Sequence, residues 1–269
     1  MPDGELTVLT WNLWWRNGPW EERLAAITEV VRDLDPDVVA LQEVWFADGT
    51  SSAHVVAEAL GHHLVVGHRL VVDGVGFGNA ELSRWPITGH EVVALPGVAG
   101  RDEQKLALFA AVDSPGGSLH VVSTHLSWRH DDSANRQEQV KVVCELVART
   151  RPRDLPPVLC GDFNAVPDSD EIRMLTGKTT VPVDGLVFFD AWEATGAGRP
   201  PADRGDTWSD DNPYAAADLE QDRRIDYVFT GWRRPDGRGR PLWCRVVGDE
   251  PVGGVWPSDH FGVLAGLQR

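Results

Sequence analysis

Eight polar side chains stand at the ends of apolar, strand-like runs: Asn12, Glu43, His125, Asp162, Asn164, Asp226, Asp259 and His260. Each is a type able to bind a hard cation, hold a phosphate or move a proton. One such residue is usually a satisfied surface group, but eight in the same setting point to a shared site. The segment Val158-Leu-Cys-Gly-Asp-Phe-Asn164 shows the pattern most clearly. Pro156 and Pro157 punctuate, Val158 to Cys160 runs apolar, and Gly161 is expected to let the backbone leave the sheet. Side chains alternate along extended chain, so Asp162 and Asn164 face one way while Phe163 turns into the core. An acid and a neutral hydrogen-bond donor thus lie side by side at a strand end.

The elements that must position these groups follow from periodicity. Leu6 to Trp11 alternates as a strand ending at Asn12. Asn17-Gly18-Pro19 opens a helix, with Pro at the first turn and Glu21 and Glu22 beside it. Trp20, Leu24, Ile27, Val31 and Leu34 continue it at helical spacing to about Asp35. Asp37 to Gln42 is an apolar strand ending at Glu43, and residues 51–60 form a second helix stopped by Gly61. From His63 to Val122 successive strands are expected at 64–66, 76–83, 87–95, 105–113 and 119–123, separated by Gly, Pro and Asp clusters. A helix with Val140, Val143, Cys144 and Val147 on one face follows, then the Val158 strand and a short helix over 168–175 capped by Gly177. Residues 196–223 are predicted as a long loop, with strands at 224–229, 242–247 and 261–267 beyond it. The chain thus predicts a single α+β domain over residues 1–269. Two mostly antiparallel sheets pack face to face with helices outside, a four-layer α/β/β/α sandwich.

Composition narrows the chemistry. At 269 residues with 42% hydrophobic and 25% charged content, the chain can bury a large core. A net charge of −16 argues against broad, sequence-independent binding to nucleic acid, because no basic field draws in phosphates. Clustered carboxylates call instead for a divalent cation. Cys144, Cys160 and Cys244 lie in apolar runs without C-x-x-C spacing and read as reduced core residues. The start, Met1-Pro-Asp-Gly-Glu5, has no basic and apolar leader, and no apolar run reaches membrane-spanning length. A soluble, cytoplasmic monomer without a membrane span is expected.

Thr10-Trp-Asn12, Leu41-Gln-Glu43, Ser123-Thr-His125-Leu126, Gly161-Asp-Phe-Asn164, Arg224-Ile-Asp226-Tyr227 and Ser258-Asp-His260 stand in family order. Together they resemble the motifs of the endonuclease/exonuclease/phosphatase superfamily, the deoxyribonuclease I-like fold. The resemblance runs over residues 6–267. It implies a divalent-metal-dependent phosphoesterase that uses direct water attack, with a metal-dependent nuclease acting on DNA or RNA as the alternative. A retired binding scaffold on this fold should lack a metal ligand or the Asp-His pair, yet Glu43, Asp226, Asp259 and His260 are all present.

The resemblance also implies roles. Glu43 with Asn12 and, directly or through water, Asp259 would hold Mg²⁺ or Mn²⁺, which prefers oxygen ligands. His260, partnered by Asp226, would activate or orient the attacking water, and Asp162 would position that water or exchange its proton. Asn164 would donate to phosphoryl oxygens. His125 would contact the phosphate and stabilise or protonate the leaving oxygen; its presence sets the chain apart from the abasic-site nucleases. Asn79 and Arg84 resemble a recurring family strand and are candidates for substrate binding. Arg136 and Gln139 either reach the site from a helix or support it from behind. Trp14, Trp15, Trp128, Trp208 and Trp256 lie near the motifs and could wall a cleft.

Two further stretches predict no site. Gly177-Lys-Thr-Thr180 ends like a phosphate-binding loop, but Ile172 stands where the first glycine belongs, so a helix cap is expected. Asp210-Asp-Asn212 lacks the EF-hand glycine and distal glutamate and is expected to be solvated loop. With 41 acidic against 25 basic residues, the expected substrate is a compact phosphoester or short oligonucleotide rather than extended duplex DNA.

Overall fold

The computed structural model describes residues 4–101, 103–150, 154–196 and 203–269. Met1 to Asp3 of the leader reading and 197–202 of the long loop lie outside the described residues. In chain order the elements are β1 (Glu5–Asn12), α1 (Trp20–Leu34), β2 (Val38–Ala47), β3 (Thr50–Ser51), α2 (Ser52–Leu60), β4 (His63–Val72), β5 (Val75–Ser83), β6 (Ile87–Ala94), β7 (Leu106–Ser114) and β8 (Gly117–His125). They continue with α3 (Ser133–Thr150), β9 (Val158–Asp162), α4 (Asp170–Leu175), β10 (Phe189–Asp190), α5 (Ala191–Ala194), α6 (Pro213–Ala216), β11 (Asp226–Thr230), β12 (Pro241–Val247) and β13 (Gly262–Gln268).

Period-two alternation sorts the apolar residues into layers. Along β1, Leu6 and Val8 face the opposite sheet while Leu9 and Trp11 face α1 and α2. One sheet runs β12-β13-β1-β2-β5-β4 with β3 on β2; the other runs β10-β11-β9-β8-β7-β6. Val121, Val158, Cys160 and Val228 meet Val8, Val38, Ala40 and Ala265 between the sheets. Ile27, Val31, Val56 and Ala57 cover the outer face of the first sheet. Val140, Val143, Val147, Ile172 and Leu175 cover the second, over Leu159, Phe163 and Phe229. The four-layer sandwich follows.

Pairing within both sheets is mostly antiparallel, but β1 and β2 are parallel, and so are β8 and β9. Each parallel pair is joined by a crossover containing a helix, α1 or α3, as parallel strands require. These two pairs bring the ends of β1, β2, β8 and β9 to one edge of the sandwich.

Several expectations change in detail. The backbone does not leave the sheet at Gly161, which pairs with Thr124 on one side and Tyr227 on the other. Its role is close approach: a Cβ there would lie 1.9 Å from the Thr124 carbonyl oxygen. The described part of the long loop holds a helical turn, α6, and Asn212 is a buried cap rather than a solvated residue, accepting from Tyr214 N–H. Gly177 does follow α4, where Lys178 N–H donates to Arg173 O. The three cysteines are buried and form no disulfide among the described residues. Among the described residues no helix is long and apolar enough to cross a membrane.

Candidate active site

A cleft of about 920 Å³ opens where the ends of β1, β2, β8 and β9 meet the start of β11 and the 257–261 turn. Its lining includes Glu43, His125, Asp162, Asn164, Trp208, Asp259 and His260. Register explains the convergence. Asp162 lies opposite Asp226 in β11 and beside His125 in β8, and Asn12 lies beside Gln42 in β2.

Glu43 reaches the cleft through an irregularity. The register of β2 against β5 shifts between Leu41 and Val44, and Glu43 itself takes a left-handed φ of 52°. Such a bulge re-aims one side chain out of the alternation. Asn12 sits beneath it. Its Oδ1 accepts from Trp14 N–H at 3.0 Å, so Nδ2 faces Asp162 Oδ2 at 3.0 Å and Glu43 Oε1 at 3.3 Å. In this orientation Asn12 turns its amide N–H groups toward both carboxylates and its Oδ1 toward the Trp14 N–H.

The acid–imidazole pair is in place. His260 Nδ1 is 2.9 Å from Asp226 Oδ2, and that oxygen also accepts from Thr207 Oγ1 at 2.6 Å. His260 Nε2 lies 3.8 Å from Asp162 Oδ2. Burial opposes charge on His260, but Asp226 and then Asp162 and Asp259 outweigh it and push the ring up to about 10. Burial likewise resists ionisation of Asp162, yet His260, His125 and the Asn12 amide hold it below the ordinary carboxylate range. Asp259, whose Oδ1 accepts from Ser258 Oγ at 3.2 Å, goes the other way. Burial pushes it up to about 7, against the pull of His260 and with the help of the Glu43 charge. Burial also raises Glu43.

Across the cleft His125 stands 3.5 Å from Asp162 and 4.0 Å from Glu43. Lys105 Nζ lies 2.8 Å from His125 Nε2. Burial, aided by that neighbour, lowers His125 to about 3. The ring is therefore neutral near pH 7, and with Nε2 accepting from Lys105 its proton sits on Nδ1. Asn164, at φ 49°, donates its N–H to Asp162 Oδ1 at 2.9 Å and its Nδ2 hydrogen to Leu126 O at 3.1 Å. One amide hydrogen remains for a ligand.

The remaining candidates divide. Trp208 lines the cleft, its ring edge-on to His260 with centroids 5.0 Å apart. Asn79 is buried on β5 beside Phe77, which lines the cleft in its place. Arg84 is at the far end of β5, 2.8 Å from both Asp35 and Asp37, and takes no part in the site. Arg136 is buried against Glu171 at 2.5 Å and donates to the carbonyls of Ser127 and Arg129, so it ties α3 to α4. Gln139 is a support as well, fixing Ser127 N–H and the Pro96 carbonyl.

Sequence reasoning passed over Lys105, Thr207 and Asn212. A lone lysine opening the apolar run Leu106-Ala-Leu-Phe109 was the available signal for the first. The other two stand in polar loop sequence, where nothing separates a buried hydroxyl or amide from a solvated one.

The donor set suits a hard divalent cation: Glu43, Asp162 and Asp259 offer only oxygen, and burial, with neighbouring carboxylate charge, raises Glu43 and Asp259. Among the described residues Asp162, Asp226 and His260 also bring ligand atoms within 4.8 Å of one another. There His260 Nδ1 and Asp226 Oδ2 are committed to each other, which fits that pair to proton handling and leaves the cation to Glu43, Asp162 and Asp259.

Comparison with known proteins bears on the family and the fold. Residues 9–260 match the model of the Endonuclease/Exonuclease/phosphatase family. The chain is 30% identical over 156 residues to YbhP of Escherichia coli K12, spanning 52% of this chain and 58% of YbhP. It is 25% identical over 275 residues to tyrosyl-DNA phosphodiesterase 2 of Xenopus laevis, spanning 97% of this chain and 66% of that one. The structure of D. rerio TDP2 with a single-strand DNA product superposes with a TM-score of 0.79 at 21% identity, over 99% of this chain and 100% of that one. The chain belongs to the endonuclease/exonuclease/phosphatase family.

Proposed function

We propose that the chain is a Mg²⁺- or Mn²⁺-dependent phosphoesterase that hydrolyses a compact phosphomonoester or phosphodiester by direct water attack. What supports this most is the placement of Asp162 Oδ2 between two histidines, 3.5 Å from His125 and 3.8 Å from His260, on a floor shared with Glu43 and Asp259. Glu43 and Asp259, with Asp162, would hold the cation, which when bound polarises a phosphoryl oxygen and offsets charge developing there. His260 keeps Nδ1 on Asp226 and presents Nε2 toward Asp162, so those two atoms bracket the position of an attacking water. Asp162, held ionised, accepts a hydrogen bond from that water. Lys105, rather than His125, brings N–H donors to the leaving side, and Asn164 donates from the rim. Trp14, Phe77 and Trp208 supply apolar walls.

A compact substrate is favoured by charge. Of the four Lys and Arg side chains lining the cleft, Arg101 pairs with Asp132 and Arg223 with Glu220, which leaves Arg129 over Trp128 and Lys105 beside His125, enough for a single phosphate group rather than for tracking a long polyanion. The test is a hydrolysis screen with Mg²⁺ or Mn²⁺ across small phosphomonoesters, phosphodiesters, headgroup phosphates, dinucleotides and duplex DNA at low salt. Cation-dependent turnover of a small ester is expected. Efficient nicking of duplex DNA, with binding that weakens steeply as salt rises, would restore the nuclease alternative.

A further inference from the structure

Arg23 lies in the first turn of α1, on the face that carries Trp20 and Ile27, and is 1% exposed. None of the ion pairs among the described residues involves it. Its guanidinium instead donates to five main-chain carbonyls. Nη1 reaches Leu13 O at 2.9 Å and Pro257 O at 3.0 Å; Nη2 reaches Trp14 O at 3.0 Å and Trp15 O at 3.1 Å; Nε reaches Asn17 O at 3.0 Å. The indole of Trp14 covers the group at 4.7 Å.

Four of the five carbonyls belong to the loop between β1 and α1, and the fifth opens the turn that carries Asp259 and His260. The loop controls Asn12, because Trp14 N–H fixes the Asn12 oxygen, and it contacts β2 where Trp15 N–H donates to Glu43 O at 3.1 Å. The turn is held at each successive carbonyl. Arg23 takes Pro257, Asn212 takes Ser258 and Asp259, and Trp11 Nε1 takes His260 at 2.9 Å. Of these donors only Arg23 also holds the loop beside Glu43. Burial pushes its pKa down, and Asp259 is the largest influence against this, so the group also senses the site electrostatically.

We propose that Arg23 is a positioning residue that bolts the Leu13–Asn17 loop to the Pro257–His260 turn, setting Asp259 and His260 in register with Glu43. This rests on the phosphoesterase reading above. A planar fork with five N–H groups can satisfy five carbonyls at once, whereas a lysine ammonium has three hydrogens and no plane. Arg23→Lys therefore keeps the charge and loses the register. A misplacement of about 1 Å at a catalytic group lowers turnover on the order of 100-fold.

The experiment compares wild type, R23K and R23A on bis(p-nitrophenyl) phosphate with Mn²⁺, alongside thermal melts, with methylguanidinium or methylammonium added to R23A. Expected is a cooperative melt for R23K, a fall in kcat on the order of 100-fold with KM changed little, and recovery of R23A by methylguanidinium but not by methylammonium. An R23K enzyme with wild-type kcat overturns the proposal while the phosphoesterase reading stands. Losses in R23A and R23K that only follow the unfolded fraction, without rescue, also overturn it, as does failure of both to fold. An inactive wild type sinks the phosphoesterase reading itself and the proposal with it.

Discussion

Replacing Asp226 by Asn keeps the side-chain shape and removes the charge that His260 Nδ1 meets at 2.9 Å. Among the influences that raise His260 from 6.5 to about 10, Asp226 is the largest, acting both through its charge and through its hydrogen bond. At about 1.36 kcal/mol per pKa unit, the whole rise corresponds to roughly 5 kcal/mol favouring the folded state with its imidazolium. Because the folded pKa exceeds the unfolded one, this stabilisation is fully present below pH 6.5 and is lost as pH rises through about 10. Asp259, pushed up to about 7, has finished its own titration before most of that window. The buried thiols of Cys144 and Cys160, raised by burial above their ordinary 9.0, add their own loss above about pH 9, so the His260 share is read from the difference between wild type and D226N. In chelator-treated protein, ¹H–¹⁵N spectra of the histidine rings should show both His260 nitrogens protonated up to about pH 8 in wild type. In D226N the midpoint should fall by at least about one unit, and the loss of melting temperature between pH 8 and 10 should shrink by a third or more, the share of one carboxylate among three. An unchanged midpoint and an unchanged alkaline decline would refute the pairing, whatever happens to activity.

Other perturbations separate site from scaffold. Glu43→Gln should weaken Mn²⁺ or Mg²⁺ binding in calorimetry by about tenfold or more, the scale already seen for residues that only support a ligand; unchanged affinity removes Glu43 from the cation site. His260→Ala should lower kcat by about 10²–10⁴ with the melt nearly preserved, and should be more damaging than Asp226→Asn. Arg136→Met should cost about 3–5 kcal/mol of stability by stranding buried Glu171, while the fraction that stays folded keeps its turnover. Arg84→Ala, which removes the donor from buried Asp37 as well as from exposed Asp35, should cost about 1–3 kcal/mol of stability and leave kinetics unchanged; a raised KM would return it to the substrate side.

Much of this was readable from order and alternation. Apolar runs ending in Asn12, His125 and Asp162 located three strand ends that the crossover helices bring to one edge, whereas β2 runs on past Glu43 to Ala47, so Glu43 enters the cleft at a bulge and not at the expected strand end. Asp226 and His260 could be paired because each follows or precedes an apolar strand in the expected order. Arg84 misled because a strand has two ends, and the motif residues around it do not say which end carries the site. The β2 register shift puts Glu43 in the cleft, but Arg84 lies past the opposite end. Arg136 misled for a different reason: a charged residue near a helix start serves a ligand or a buried acid equally well until Glu171 is seen against it. The donor side of Asn12 was invisible because an amide can turn either way, and the deciding partner is a backbone N–H two residues on. Lys105, Thr207 and Arg23 belong to a kind of information that patterns do not hold, namely which polar groups are buried together.

Backbone strain explains why these supports sit where they do. Trp14, Trp15, Glu43 and Asn164 all have left-handed φ, at 56°, 42°, 52° and 49°. Asparagine tolerates that region, but a tryptophan or glutamate there costs on the order of 1–3 kcal/mol each. Apart from glycines, such φ values elsewhere among the described residues fall on aspartates in turns or caps and on Leu219, which is 91% exposed. The strained bulky residues are thus concentrated on the loop and bulge beside the carboxylates. Relaxing Trp14 and Trp15 toward extended geometry would rotate their carbonyls away from Arg23 and withdraw the N–H groups that hold Asn12 Oδ1 and Glu43 O. Arg23 opposes that relaxation with charge-assisted hydrogen bonds, each worth roughly 1.5–3 kcal/mol. The strain and the buried arginine therefore require one another: the left-handed residues create the converging carbonyls, and the guanidinium is what keeps them converged.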